Sequence, residues 1–299
     1  MHHFDFLGKA KYFVTGSALL ILISAVLLIP GVRGLNWGID FTGGMEFTVK
    51  FSEHVATADI RDVLGTIDAG GVDLRTSKIQ QGEQNTVIIT TKLLNVEDDQ
   101  ATINRIEDTL RTQFPVTDVS RRLIGRQVSQ ELAQKGWQAI LLAMVAILIY
   151  VSWRFRLRYA VGAVVALIHD VTIALGVFAL FQIEVNLETI AAFLTIVGYS
   201  LNDTIVIFDR IRENLKIERK RPVFDIINLS VNQSLSRTLN TSTTTLIPVL
   251  ILMLFGGSVL RGFSVALFVG VLVGTYSSMY IANPILYAWS KATASKKRG

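Results

Sequence analysis

Residues 188–208 read ETIAAFLTIVGYSLNDTIVIF, and this run decides the fold class. As a helix rising about 1.5 Å per residue it is long enough to cross a hydrocarbon core of about 30 Å. Its only interior charge is Asp203, set between Asn202 and Thr204. An ionisable side chain at that depth is costly, so it needs a partner or a task.

Working outward, comparable apolar runs lie at residues 12–30, 137–153, 159–181, 242–258 and 262–288. Six spans follow. The composition agrees, with 51% hydrophobic residues in 299 and a mean hydropathy of +0.45. The first run ends in Pro30-Gly31, and no small-residue cleavage site follows it. It reads as a retained anchor rather than a signal peptide.

Charge sets the expected orientation. Lys9 and Lys11, the run Arg154 to Arg158, the segment Arg210 to Arg221 and the tail Lys296-Lys297-Arg298 share one side if every run spans. The opposite short loops, 182–187 and 259–261, carry Arg261 as their only positive charge. The positive-inside rule places both ends of the chain in the cytoplasm. The expected organisation is a cytoplasmic tail at 1–11, a first span, a periplasmic domain at 31–136, and a five-span bundle at 137–290. That bundle holds a cytoplasmic connector at 209–241, and residues 291–299 form a second cytoplasmic tail. Within the connector, Pro222 to Ser236 reads as an amphipathic interfacial helix.

Residues 31–136 are polar and carry period-two patterns. Met45 to Phe51 reads as a strand, and Ala56 to Ile67 as a helix with Thr57 as its N-cap. Val72 to Gln80 and Asn85 to Thr91 read as strands joined by a turn at Gln81 to Gln84. Val96 to Phe114 reads as a helix stopped by Pro115, and Val116 to Leu123 as a last strand. This order is that of a split βαβ, ferredoxin-like α+β unit.

Several function classes are disfavoured. There is no cysteine, so disulfides and thiolate metal sites are out. Only His2 and His3 among the four histidines are adjacent, and they sit in the tail. No Gly-x-x-x-x-Gly-Lys-Ser/Thr loop is present to cradle phosphates, so an ATP-driven motor is disfavoured. No metal or nucleophile cluster points to an enzyme, and no cofactor is expected. The net charge of +5 lies beside apolar runs, which fits topology rather than nucleic acid.

The polar residues inside the spans are the candidate site. Asp170, next to His169, lies near the middle of the third run. It reads as helix glue or a topology device. Asp209, Glu184 and Glu188 read as boundary residues. If the fourth span enters at Glu188, Asp203 lies about 22 Å in. Arg237, if its helix continues inward from Ser234, reaches similar depth. A carboxylate with a movable counterion is the basic part of a proton relay. The auxiliary candidates are Asp170, Asn202, Thr204, Thr241 and Thr245; the hydroxyls of Thr204, Thr241, Ser242 and Thr245 are suited to carrying water between helices. The same pair also suits a static salt bridge backed by hydroxyl contacts. Gly270, Gly274 and Ser278 recur every four residues and read as a close-packing stripe.

These residues also carry a resemblance. Gly38-Ile39-Asp40-Phe41-Thr42-Gly43-Gly44 follows the first span, and residues 196–214 read IVGYSLNDTIVIFDRIREN. Ser234-Leu235-Ser236-Arg237-Thr238 and Gly274-Thr275-Tyr276-Ser277-Ser278 come later. Together they resemble the SecF family, the smaller partners of SecD in the bacterial Sec translocation system, over about residues 4 to 290. That family is related to the resistance-nodulation-division (RND) transporters. The resemblance implies an RND-like half-transporter of six spans in the bacterial inner membrane, completed by SecD. It implies work beside the SecYEG channel and SecA, with YajC and YidC, on preproteins driven by the proton-motive force. It maps the family's buried aspartate and arginine onto Asp203 and Arg237. The motif of Gly38, Asp40, Gly43 and Gly44 reads as a structural turn, with glycines that permit positive φ and close backbone approach. The competing expectations are half of a proton-coupled exporter of small molecules or lipids, and a membrane scaffold.

Overall fold

The computed structural model describes residues 4–296 apart from 68, 70–72, 83, 92–98 and 156. The chain forms two compact units, one made essentially of Trp37–Gln138 and the other of the chain before and after it.

The second unit is helical. α1 (Ala10–Leu28) precedes the sheet unit; α5 (Arg126–Arg154), α6 (Leu157–Phe181), α7 (Leu187–Ile217), α8 (Val223–Phe255), α9 (Gly257–Tyr280) and α10 (Ala282–Lys296) follow it. Among the described residues, six stretches are long and apolar enough to cross a membrane, with α9 and α10 sharing the last one. The six expected spans are therefore present. In α6, α7 and the α9–α10 stretch about half of the apolar window is buried, against 11–17% in α1, α5 and α8. The former make the centre of the bundle and the latter its periphery. Two-residue strands β1 (Asn36–Trp37) and β6 (Glu184–Val185) lie outside the helices.

Two details differ from the sequence expectation. No separate interfacial helix forms over 222–236, because α8 starts after Pro222 and runs unbroken into the span. No Pro or Gly lies between Val223 and Ile247, and Pro248 falls further along, well inside the span. The hydroxyls of Thr241, Ser242, Thr244 and Thr245 bond back to carbonyls one turn earlier, so the polar stretch is satisfied within the helix. The last span, by contrast, is interrupted at Ile281. Pro284 has no N–H to offer the preceding turn. The buried Asn283 amide donates instead to the carbonyls of Ser278 and Met279, at 2.8 and 3.1 Å.

Close helix approach is bought by small residues. A methyl group on Gly270 of α9 would collide with Ile196 of α7, and one on Gly274 would lie 3.0 Å from Ser200 Cβ. Gly176 of α6 in the same way leaves room for Ser24 of α1. The N-terminal segment is strapped to α8: Phe4 N–H donates to Asn232 Oδ1 and Asn232 Nδ2 returns a bond to Phe4 O, both 2.8 Å. Phe6 N–H donates to Asn228 Oδ1, one turn away, also at 2.8 Å. The Phe6 ring is buried against Tyr280, with centroids 5.3 Å apart.

The other unit is a four-stranded antiparallel sheet of β2 (Gly44–Phe51), β3 (Lys78–Gln81), β4 (Thr86–Thr91) and β5 (Val116–Ile124), in the order β3-β4-β2-β5. Helices α3 (Thr57–Leu64) and α4 (Asp99–Gln113) supply the crossovers, which gives the expected ferredoxin-like topology. Alternate residues Met45, Phe47, Val49 and Phe51 point into a core completed by Ile60, Leu64, Ile89, Ile106 and Leu110. The strand expected over 72–80 is shorter, because Leu74–Thr76 forms a 3₁₀ turn capped by the Asp73 side chain. The N-cap position falls on Ala56, and Thr57 is the first helical residue. Parts of the turn at 81–84 and of the helix start near 96 lie outside the described residues.

The glycine motif is a single helical turn, α2 (Ile39–Thr42), leading into β2. Gly43 and Gly44 have φ of 69° and 152°, and a Cβ on Gly44 would meet Thr91 O at 2.6 Å. Both need glycine. Gly38 has φ −74° and does not need it for its φ. Asp40 is 2% exposed and lies 3.6 Å from Arg122 Nη2 of β5, while Arg122 Nε lies 3.8 Å from Glu46. The motif thus ties the sheet's entry to its edge strand.

The Gly270 contact yields a test. Gly270→Ala should cost about 1–3 kcal/mol through overpacking against the stiff, β-branched Ile196. The measurement is thermal unfolding of the purified chain in detergent, with Gly198→Ala, where a Cβ meets nothing within 4 Å, as the neutral comparison.

Candidate functional site

Two carboxylates lie inside the bundle, and their surroundings differ. Asp170 on α6 is fully buried. Its Oδ1 lies 2.8 Å from His169 Nδ1. Its Oδ2 accepts from Ser200 Oγ of α7 at 2.6 Å and from Ser277 Oγ of α9 at 2.8 Å. Both oxygens are satisfied, and three helices meet on one carboxyl group. The His169 ring stacks on Tyr276, and the Tyr276 hydroxyl reaches Ser17 and Phe13 O of α1 at 2.8 and 2.9 Å. His169 Nε2 is buried without a hydrogen bond among the described residues.

Asp203 on α7 is 3% exposed. Among the described residues its one hydrogen bond is from Thr241 Oγ1 of α8, and at 3.4 Å it is long. Oδ2 is buried and makes none among the described residues, nor does Thr238 Oγ1. Ser242, on the same helix, bonds to Thr275 Oγ1 of α9 at 2.6 Å and also bears on the Asp203 carboxyl. A buried carboxylate with a free oxygen is ready to take a proton or a water; one saturated by donors is not.

The antiparallel register of α7 and α8 places the remaining residues. Asn214 Nδ2 donates to Ser230 Oγ at 2.8 Å. That contact lies eleven positions on along α7, and eleven back along α8, from the pair Asp203 and Thr241. By this register Arg237 stands opposite Ile207, about one turn nearer the basic end of the bundle. If α7 enters the hydrocarbon at Glu188, that level is about 28 Å deep, close to the far edge of a core of about 30 Å. Asp203 is thus buried and Arg237 exposed about one turn away along α8, and the two form no ion pair within 4.0 Å. The guanidinium charge still bears on the carboxylate. Thr241 links the two turns, since its hydroxyl also reaches Arg237 O at 3.1 Å.

Of the auxiliary candidates, Thr241 alone touches Asp203. Thr204 and Thr245 spend their hydroxyls on carbonyls of their own helices. Asn202 faces outward and is exposed. Asp209, read as a boundary residue, pairs with Arg154 at 3.1 Å, and Arg210 pairs with Glu213 at 2.7 Å. Ser200, Ser277, Tyr276 and Ser17 were not singled out from sequence as partners of Asp170. Ser200 and Ser277 lie within the signature runs around Asp203 and Gly274, and that was their only signal.

Comparison with known proteins gives the family. The profile "Protein export membrane protein SecD/SecF, C-terminal" matches residues 85–292, and the "SecD/SecF GG Motif" matches residues 29–53. The chain is 41% identical to the protein translocase subunit SecF of Rhodothermus marinus, covering 99% of this chain and 96% of that one. It is 42% identical to SecF of Desulfurispirillum indicum, covering 96% and 92%. It also matches the longer protein translocase subunit SecDF of Thermus thermophilus at 37% identity, spanning 38% of that fused chain. A crystal structure of SecDF from that organism, described as a translocon-associated membrane protein, superposes with a TM-score of 0.88 at 36% identity, covering 97% of this chain and 39% of that one. With its six spans, its inserted ferredoxin-like unit and its glycine turn, the chain belongs to the SecD/SecF family of protein-export membrane proteins.

Proposed function

We propose that this chain is a subunit of the accessory complex of the Sec preprotein translocase, using the proton-motive force with a SecD partner to complete protein export. Its role is coupling rather than catalysis of a covalent step. The observation that carries the coupling is the contrast between the two carboxylates: Asp203 keeps a buried free oxygen beside Thr241, while Asp170 is saturated. In this reading Asp203 takes the proton, and Arg237, one turn nearer the membrane edge, is the counterion that responds. Thr241 is the hydroxyl between them. One proton moving down 100 mV releases about 2.3 kcal/mol, enough to bias a two-state change roughly fiftyfold.

The partner follows from what the periphery exposes. Asn202 on α7 and Asn240, Thr243 and Thr244 on α8 are exposed at levels that the register places well inside the hydrocarbon. The side-chain amides of Asn202 and Asn240 make no hydrogen bond among the described residues. Lipid would leave them unsatisfied, so a second protein half covers them. In the Thermus thermophilus relative a SecD half is fused to the matching segment. The wider assembly in this proposal is the SecYEG channel, SecA, YajC and YidC, in the inner membrane, with both ends of the chain cytoplasmic and the sheet unit on the far side. The named relatives are translocase subunits, which favours this reading over a small-molecule or lipid exporter.

The decisive measurement is precursor export into inverted membrane vesicles with and without a proton gradient. Asp203→Asn and Arg237→Met should reduce gradient-stimulated export to the level of gradient-free vesicles while still co-purifying with the partner. Unchanged export in both variants would sink the coupling role. Asp170→Ala should act on stability instead, costing about 1–3 kcal/mol because two hydroxyls and an imidazole lose their acceptor. Thermal unfolding in detergent separates it from Asp203→Asn, expected within about 0.5 kcal/mol of wild type. Engineered cross-links between the sheet unit and the spanning unit should block export, and reduction should restore it.

A further inference from the structure

A cavity of about 430 Å³ opens where α5 ends and α6 begins. Its wall carries Arg154 and Arg158 from that corner and Arg212 and Lys216 from the last turns of α7. Trp153 and Tyr159 complete it. Topology requires only that such residues lie on one side of the membrane. It does not require four of them to face a common space, where like charges repel.

Three further observations show an unfilled demand for an anion. Arg154 alone of the four has an acidic partner, Asp209; Arg158, Arg212 and Lys216 form no ion pair among the described residues. Arg158 Nε is buried and donates to nothing among the described residues. The guanidinium groups are also held in place, Arg154 over Phe155 and Arg158 over Tyr159, each 5.0 Å from the ring centroid. α6 starts at Leu157, so the positive end of a 25-residue helix stands at the same wall.

The position says which anion. α7 has 31 residues, about 46 Å of helix against a core of about 30 Å. Its last turns, with Arg212 and Lys216, project to the headgroup level. Trp153 is 85% exposed there, the habit of an interfacial aromatic. We propose that this cavity binds the phosphate of an anionic phospholipid of the phosphatidylglycerol class, with Arg158, Arg212 and Lys216 on the phosphate oxygens and Trp153 against the upper acyl chain.

The test uses the full chain in detergent, titrated with phosphatidylglycerol, phosphatidylcholine or inorganic phosphate. Native mass spectrometry counts retained lipid, and the thermal midpoint reads protection. Wild type should retain phosphatidylglycerol at least tenfold over phosphatidylcholine and gain a higher midpoint from it. R158Q/R212Q/K216Q should lose about a hundredfold in affinity, the combined weight of three cations at an anionic group. R219Q/K220Q removes two nearby basic residues that do not line the cavity, and should bind as wild type. If the triple variant does not fold, Arg212→Gln alone, at an exposed side chain, should still weaken retention. The proposal is overturned if wild type holds the two lipids equally, or if the control loses as much as the triple variant. Equal protection by millimolar inorganic phosphate would overturn the lipid assignment.

Discussion

A carboxyl group cannot sit in hydrocarbon without donors, and the bundle is arranged around that constraint at Asp170. Ser200 of α7 and Ser277 of α9 are brought to one oxygen, and His169 of α6 itself to the other. Three helices meet at that point, and small residues let them come close: Gly270 faces Ile196 and Gly274 faces Ser200. Tyr276 carries the cluster outward to α1 through Ser17. In water these bonds would compete with solvent; between spans they are the favourable alternative to unpaired polar groups, so position and contact specify each other.

With that cluster fixed, the seam between α7 and α8 is free to be different. Ser200 is committed to Asp170, and one turn along the same helix Asp203 meets only a long hydroxyl contact. The tight polar contacts of α7 with α8 lie at the basic end instead, where Asn214 holds Ser230 and Gln233, and Arg210 holds Gln233. The seam is pinned at one end and loosely bonded at the level of Asp203. The proton-taking role proposed for Asp203 would use such latitude, because a fully bonded carboxylate would break its shell each time.

Much of this was legible beforehand because it depends on pattern. Six apolar runs, the basic loops and the order of strands and helices over 44–124 follow from hydrophobic period and turn residues. Asp203 and Arg237 stood out because charge in a span is rare. What sequence missed depends on geometry between distant segments. Ser200 and Ser277 are ordinary small residues until Asp170 is placed beside them. The direct meeting expected of Asp203 and Arg237 gives way to an offset of about a turn, set by helix register that no single-chain pattern encodes. The amphipathic helix expected before the fifth span forms from Val223 with Ile226, Ile227, Ser230 and Ser234 buried, but it runs on into the span, since an amphipathic stretch and a back-bonded polar helix read alike in one dimension.

The strap between the N-terminal segment and α8 bears on how the protein is made. Phe4 and Phe6 bond to Asn232 and Asn228, partners more than 220 residues later in the chain. At a ribosomal rate of about 5–20 residues per second, those asparagines emerge roughly 10–45 s after the segment that needs them. α1 likewise waits for α6 and for Tyr276 of α9. The first span is thus inserted early and packed late, an unpaired helix in the bilayer through most of its own synthesis. Its outer residues must be at home in lipid on their own, and its 19 residues, with Ser17 and Ser24 the buried polar side chains among them, meet that need.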